Sequence, residues 1–239
     1  LEQSFSRVKE QQKDLETALS QKENLLESIL PKRIAQRMNA GDAQIVDQVA
    51  DATVVFVDIV DFTKYSASVP PEESIALLKD LFSSFDEVIR RYDLEKIKTI
   101  GDSYMFVAGV TNDLDDHCAA AVDAALEVLF ETRQMGLKMG RDLQVRIGVH
   151  SGPLVAGVVG ELRFVYDLWG MTVNIAARIE EAGKPGKVTV SEAVLERIVG
   201  EFSIERQGRV RLKGIGPTIL FSVEGRRTKV KEVSRSGLV

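Results

Sequence analysis

Residues 95–109 read EKIKTIGDSYMFVAG, which is two strand-like runs joined at Gly101-Asp102. Upstream, residues 53–60 form the apolar run TVVFVDIV, in which Asp58 follows five residues of strand character. Gly and Asp are preferred turn residues, so residues 95–109 predict a β-hairpin with Asp102 at its tip. A carboxylate beside a core is unfavourable unless a cation pairs with it. Whether Asp58 and Asp102 converge therefore bears on both fold and function.

The segments around the hairpin alternate between helix and strand patterns. Pro70-Pro71 opens a helix predicted to run to Ile89, and a second helix is predicted from Asp113 to about Met139. LQVRIGVH and PLVAGVVG are predicted as two strands with a turn at Gly152-Pro153. From residue 53 to about 150 the order is strand, helix, strand, strand, helix, strand. This order predicts an α+β fold with a ferredoxin-like βαββαβ core.

That topology bears directly on the two aspartates. In a ferredoxin-like core the first strand lies beside the central hairpin, so Asp58 and Asp102 can be neighbours although 44 residues separate them in the chain. Two converging carboxylates would hold divalent metal. The alternative for each aspartate taken alone is a turn or helix cap. The pair in this topology favours metal.

Additional elements follow the core. MTVNIAARIEEA is predicted as a helix that ends at Gly183, and KVTVS, EFSIERQ, RVRLKG and ILFSVEG as short strands. The last residues, 226–239, are basic and then polar, and we expect them to be poorly ordered. The main domain is accordingly predicted over residues 43–225.

Residues 1–42 predict a helical segment ahead of this domain. Up to about residue 30 a narrow apolar seam follows alternating three- and four-residue steps, interrupted at Gln12 and Lys22. The seam consists of Leu1, Phe5, Val8, Leu15, Leu19, Leu26 and Ile29. The strongly charged remaining faces favour a long dimeric coiled coil over a single helix packed on its own domain. Pro31 then breaks or kinks the helix.

Composition limits the partners and the compartment. The 239 residues carry a net charge of −5, and their Lys and Arg are spread along the chain, which argues against a nucleic-acid binder. A single cysteine, Cys118, forms no disulfide framework and fits a reducing, cytoplasmic setting. No apolar run approaches the length of a membrane span. Because the sequence begins with Leu1, we expect an upstream sensor or membrane region to be missing.

Polar side chains interrupt several apolar runs. They are Lys98, Arg146, Asp167, Asn174, Arg178 and Lys213. A lone Lys or Arg of this kind is usually a solvated strand residue with a buried stem, and Asn174 with Arg178 alone could equally form a surface hydrogen bond. Together the segments FVDIVDFT, KTIGDSYM, RIGVHSGPLVAGVVG, YDLWGMTVNIAARIE and VRLKGIG closely resemble the catalytic domain of class III nucleotidyl cyclases over about residues 50–224, in the family's order. The run LLESILPKRIAQRM is similar to the helical transducer segment that precedes such domains.

The resemblance implies where metals and phosphates bind. Asp58 and Asp102 match the two metal-binding aspartates, with the Ile59 carbonyl as a further ligand, so two divalent cations, Mg²⁺ or Mn²⁺, are expected per site. The backbone from Ile59 through Phe62 to Thr63 would cradle the triphosphate, because a strand-to-helix turn offers free N–H groups.

The other matching residues would bind the rest of the nucleotide. By the same resemblance, Arg146 and Lys213 bind the outer phosphates. Asn174 orients the ribose, and Arg178 stabilises charge on the α-phosphate in the transition state.

The purine is expected to be read by Lys98 and Asp167. Lys98 can donate to adenine N1, and Asp167 can accept from the N6 amino group. Guanine presents the reverse pattern, and guanylate-forming relatives typically carry Glu and a small residue such as Cys at these positions. The implied reaction is adenylate cyclase: the ATP ribose 3′-hydroxyl attacks the α-phosphorus and expels pyrophosphate, giving 3′,5′-cyclic AMP.

In this family two domains share each site, and this chain carries both halves, so the resemblance implies a homodimer with two equivalent sites. The alternatives are a guanylate cyclase or a catalytically weak dimeric regulatory domain. A dinucleotide-forming cyclase is disfavoured, because KTIGDSYM stands where its GGDEF-type turn would be.

Overall fold

The protein is described here from a computed structural model, which covers residues 2–27, 29–42, 44–111, 114, 116–160 and 162–227, with backbone alone for 2–8, 10, 23 and 24. The helices are α1 (Glu2–Glu27), α2 (Lys32–Asn39), α3 (Phe62–Ser68), α4 (Pro71–Arg91), α5 (His117–Met139), α6 (Met171–Ala182) and α7 (Glu192–Ile198). The strands are β1 (Val46–Ile59), β2 (Glu95–Ile100), β3 (Ser103–Ala108), β4 (Val145–Val159), β5 (Val165–Trp169), β6 (Lys187–Val190), β7 (Phe202–Leu212) and β8 (Gly216–Arg226).

The described strands form one mixed sheet in the order β2-β3-β1-β4-β6-β8-β7, and β5 pairs with the second half of β4. The first four strands of that order, with α4 and α5 as crossover helices, are the predicted ferredoxin-like core. The predicted hairpin is confirmed, since β2 and β3 pair antiparallel around Gly101 and Asp102. β1 lies directly beside β3, as the topology requires.

The prediction of two strands with a turn at Gly152-Pro153 is wrong, because β4 is one strand that runs through both residues. The neighbouring strand β1 has a bulge between Val49 and Ala52, where its pairing moves from Leu154 to Gly152. Pro153 lies opposite this bulge, so its missing N–H leaves no regular ladder position unpaired.

A similar correction applies to EFSIERQ and RVRLKG, which form the single strand β7. Its pairing with β8 shifts between Arg206 and Gly208, and Gly208 has a positive φ of 112°. The glycine allows the irregular backbone without ending the strand. The helices α3 and α7 were not predicted, because seven residues are too few for a clear helical period.

The sheet separates two apolar layers. One packs α4, α5 and α7 on side chains such as Val55 and Val57 of β1. The other packs α2, α6 and β5 on the alternate side chains Val54 and Phe56. Since successive strand residues point to opposite faces, Asp58 faces the layer that contains α6.

The N-terminal helices agree with the prediction in part. The break at Pro31 is confirmed, since α1 ends at Glu27 and α2 begins after the proline. In α2, Ile34 and Ala35 are buried against the sheet. Leu15 and Leu19 on α1 are 61% and 49% exposed. The coiled coil itself stays a prediction; Leu1 lies outside the described residues, as do 228–239 of the predicted tail, and the side chains of Phe5 and Val8 are not described.

The surroundings of Cys118 and His150 are those of residues that stabilise the fold. Cys118 is 2% exposed within the core. Burial lowers the pKa of His150 to about 4, and its Nδ1 lies 2.7 Å from the Ser191 hydroxyl. His150 is paired with Val54, four residues before Asp58 on β1, and Cys118 contacts Ser151, the next residue after His150 on β4. None of the described helices is long and apolar enough to span a membrane.

Gly148 determines how closely α6 approaches the sheet. A Cβ at this position would lie 2.2 Å from the Glu180 backbone nitrogen and 2.7 Å from the Ala176 carbonyl oxygen. We expect Gly148→Ala to lower the free energy of unfolding by about 1–3 kcal/mol, because α6 must shift. Urea unfolding measures this. The matched control Gly200→Ala, with nothing within 4 Å of its Cβ, should change it by about 0.5 kcal/mol or less; equal effects would contradict the close approach.

Candidate active site

The two aspartates of the opening stretch come together at one end of the sheet. Asp58 pairs with Ser103 in the β1–β3 register, which puts Asp102 next to it at the hairpin tip. Burial raises the pKa of Asp58, and the negative charge of Asp102 raises it further, against the effect of a hydrogen bond from Arg146. The predicted convergence of the two carboxylates is therefore present in the fold.

Arg146 links Asp58 to a third carboxylate that the sequence did not single out. Its Nη2 donates to Asp58 Oδ2 at 2.7 Å, and its Nε donates to Glu180 Oε1 at 3.2 Å. Burial, followed by the charge of Asp58, raises the pKa of Glu180 to about 7, although Arg146 opposes this. In the sequence, Glu180 looks like one of two solvated acids near a helix end. The sequence indicates its burial only through helical spacing, because Glu180 lies two residues after Arg178 and so points toward the buried side of α6.

The donor atoms at Asp58 and Asp102 fit hard divalent cations. Carboxylate oxygens are the ligands that Mg²⁺ and Mn²⁺ prefer, and two mutually repelling carboxylates gain from a shared positive charge. Within the described residues, no group of three or more His, Cys, Asp or Glu side chains is arranged to hold a metal. Further ligands would have to come from backbone oxygens such as the predicted Ile59 carbonyl, from water or from a nucleotide.

The turn after β1 is the predicted phosphate cradle. Ile59 is 3% exposed and anchors the turn in the core, while Asp61 adopts the left-handed conformation with φ of 56°. Phe62 begins α3 and packs against the core, and Thr63 is exposed. The N-cap residue Asp61 makes no side-chain hydrogen bond to the first N–H groups of α3, because its carboxylate accepts from Lys64 instead. These N–H groups are available to an anion.

The predicted purine-reading pair is in direct contact. Lys98 Nζ donates to Asp167 Oδ2 at 2.5 Å, although the two residues are 69 positions apart. Asp167 Oδ1 also accepts from the Leu168 backbone N–H, which fixes the carboxylate. The side chains of Lys98 and Asp167 are 34% and 18% exposed, so a ligand could reach both.

Asn174 and Arg178 lie on the outer side of α6. Asn174 is exposed, and Arg178 forms an ion pair with Glu181 one turn along the same helix. Lys213 is exposed in the turn between β7 and β8, and no ion pair to it is found among the described residues. An exposed ion pair contributes about 0–1 kcal/mol, so Arg178 can exchange Glu181 for a phosphate.

The predicted site residues therefore fall into two groups. Asp58, Asp102 and Arg146 form one, and Lys98 with Asp167 forms the core of the other. In the part of the chain that the structure describes, no hydrogen bond or ion pair joins these groups. Within one copy, the residues expected to bind metal and the residues expected to bind the purine therefore belong to separate groups.

Comparison with known proteins identifies the family. Residues 45–225 match the family model described as "Adenylate and Guanylate cyclase catalytic domain". The chain belongs to the adenylate and guanylate cyclase family. The predicted family resemblance is thus confirmed.

Relatives with both names are similar to this chain. An adenylate cyclase of Mycobacterium tuberculosis is 38% identical over 214 residues, which cover 89% of this chain and 48% of that protein. Soluble guanylate cyclase gcy-37 of Caenorhabditis elegans is 37% identical over 81% of this chain and 28% of that protein. The chain thus spans about half the length of the mycobacterial relative and less than a third of the nematode relative.

A solved structure is also similar. The guanylate cyclase domain of RhGC from Catenaria anguillulae, in complex with GTP, has a TM-score of 0.73 and 32% identity. The similarity covers 76% of this chain and 100% of that one. The comparisons therefore show the fold and the family of the cyclase domain.

Proposed function

We propose that this chain is an adenylate cyclase, which converts ATP to 3′,5′-cyclic AMP and pyrophosphate at sites shared by two copies. The observation that carries the choice of ATP is the Lys98–Asp167 contact at 2.5 Å. It presents one fixed donor and one fixed acceptor side by side. Adenine needs this pair, with a donor toward N1 and an acceptor toward N6.

The remaining residues bind and orient the nucleotide. Lys213 and Arg146 bind the outer phosphates, Asn174 orients the ribose, and Arg178 donates to the α-phosphate as charge builds on it. The reaction breaks one P–O bond to pyrophosphate and forms another to the ribose 3′-oxygen. The protein supplies positioning and charge stabilisation rather than a covalent intermediate.

Asp58 and Asp102, with the Ile59 carbonyl, would hold the two divalent cations. Bound there, the cations supply acidity to the 3′-hydroxyl and positive charge to the leaving phosphates. Arg146 neutralises part of the Asp58 charge until cations bind.

Exposed apolar side chains support the homodimer. On the β4–β5 hairpin, Leu162 is 100% exposed and Val159 is 56% exposed. On α1, the predicted seam residues Leu15 and Leu19 are also exposed. Apolar side chains in two such places indicate surfaces that a second copy would cover. Residues 1–42 would then act as the transducer for an upstream sensor region, in a cytoplasmic setting.

The test is turnover by the purified chain. With Mn²⁺ or Mg²⁺, ATP should give cyclic AMP and pyrophosphate at a kcat/KM well above that for GTP, and chelation with EDTA should abolish product. Preference for GTP would favour the guanylate cyclase alternative. A folded dimer that binds ATP but releases no pyrophosphate with either cation would favour the regulatory alternative.

A further inference from the structure

Glu180 is a buried carboxylate with an unusual setting. It lies on α6 with a side chain only 9% exposed. Because Gly148 lacks a side chain, the backbone of α6 lies directly on β4 at Glu180, which fixes the carboxylate beside the strand. A buried carboxylate is unfavourable unless it is paired. In the described part of the protein its hydrogen-bond partner is Arg146.

Arg146 is held from two sides. Its Nε donates to Glu180 on α6, and its Nη2 donates to Asp58 on β1. Among the described residues its third nitrogen, Nη1, has no hydrogen-bond partner. The guanidinium can thus keep one bond to Glu180 while its other nitrogens bind something else.

Cation binding would change this arrangement. Asp58 Oδ2 accepts from Arg146 and is also a carboxylate oxygen that a cation could bind, so a cation at Asp58 would compete with this hydrogen bond. Arg146 would then lose one of its two anchors. The anchor that remains is Glu180. Without it the long, flexible side chain would sample many rotamers, and ordering it again would weaken phosphate binding.

We propose that Glu180 is a positioning residue that holds Arg146 by its Nε while the other guanidinium nitrogens bind the outer phosphates of the nucleotide. The inference rests on the proposed function, because the outer phosphates belong to the proposed substrate. Glu180 touches neither substrate nor reacting atoms. It acts through Arg146 alone.

The experiment measures binding without turnover. The probe is an ATP analogue with a methylene group between the α- and β-phosphorus, at saturating Mn²⁺, and AMP serves as the comparator without outer phosphates. In Glu180→Gln we expect the affinity for the analogue to fall about tenfold and the affinity for AMP to stay unchanged. A merely structural role would weaken both ligands together or neither.

A double-mutant cycle tests whether the effect passes through Arg146. In an Arg146→Gln background, the further change Glu180→Gln should have no effect on analogue affinity, since the residue to be held is gone. The double variant has a neutral amide at both positions. Its analogue affinity can therefore still be compared with that of Arg146→Gln if Glu180→Gln alone folds poorly. Equal losses from Glu180→Gln in both backgrounds would overturn the proposal.

Glu224→Gln is the control, because Glu224 forms an exposed pair with Lys187 on the neighbouring strands. It should leave both affinities unchanged. Failure of the proposed function has a different signature: the unmodified chain would bind the analogue no better than AMP, or would release no cyclic nucleotide. Unchanged analogue affinity in Glu180→Gln, in a chain that does cyclise ATP, would refute the positioning role alone.

Discussion

We expect the Asp58→Ala homodimer and the Arg178→Ala homodimer each to lose most cyclase activity. A heterodimer with one chain of each variant should regain part of that activity. Asp58 belongs to the group that would hold the cations, and Arg178 to the group that would bind the α-phosphate. If each site takes one group from each chain, the heterodimer has one intact site and one site with both lesions. Removing a charge-stabilising donor typically lowers the rate about 10²–10³-fold, so recovery is easily seen.

The heterodimer is prepared by co-expression with two different affinity tags and purified on both. Its kcat per dimer should be about half that of the unmodified dimer, because one of its two sites is intact. The matched control combines Arg178→Ala with Asn174→Ala. Both lesions then fall in the same group, each site carries one of them, and activity should stay low. Recovery in the control, or none in the proven Asp58–Arg178 heterodimer, would rule out sites shared in this way.

Residue patterns predicted the core of this fold because it uses strong local signals. The apolar alternation of 53–60, the Gly101-Asp102 turn and the Pro70-Pro71 helix start each follow from one local rule, and their order specified the topology. Gly152-Pro153 was misread because the feature that accommodates it is a bulge about a hundred residues away in β1. A local reading of turn residues carries no information about the partner strand.

The candidate site shows the same division. Lys98 and Asp167 were assigned together through the resemblance, and the fold brings them into contact. Glu180 was missed because its contact with Arg146 depends on the packing of α6 over Gly148. Spacing in the helix indicates only the side of α6 on which Glu180 lies. Burial also turns an acid that reads as solvated into one whose pKa is raised to about 7.

Replacing both purine-reading residues should change the substrate. In Lys98→Glu with Asp167→Cys, the new carboxylate can accept from guanine N1–H, and the thiol can donate weakly to O6. Both contacts favourable to adenine are lost at the same time. We expect the ratio of kcat/KM for ATP to that for GTP to fall about 10²–10⁴-fold, because a site that must hydrogen-bond its substrate discriminates strongly.

The single variants should behave differently from the double. Lys98→Glu alone sets a second carboxylate against Asp167 where an ion pair stood at 2.5 Å, and this like-charge contact disfavours either purine. Asp167→Cys alone leaves Lys98 without its partner and removes the acceptor for N6. Each single variant should therefore lose activity with ATP without gaining it with GTP, and the gain should require both changes.

Steady-state rates with each nucleotide at saturating Mn²⁺ measure the ratio. As a control, Lys187→Glu with Glu224→Cys makes the same types of change in an exposed ion pair away from the purine-reading pair, and should leave the purine preference unchanged. A double variant that still prefers ATP would mean that Lys98 and Asp167 hold each other rather than the base. Their contact would then be a structural ion pair at 34% and 18% exposure, and other residues would determine the choice of purine.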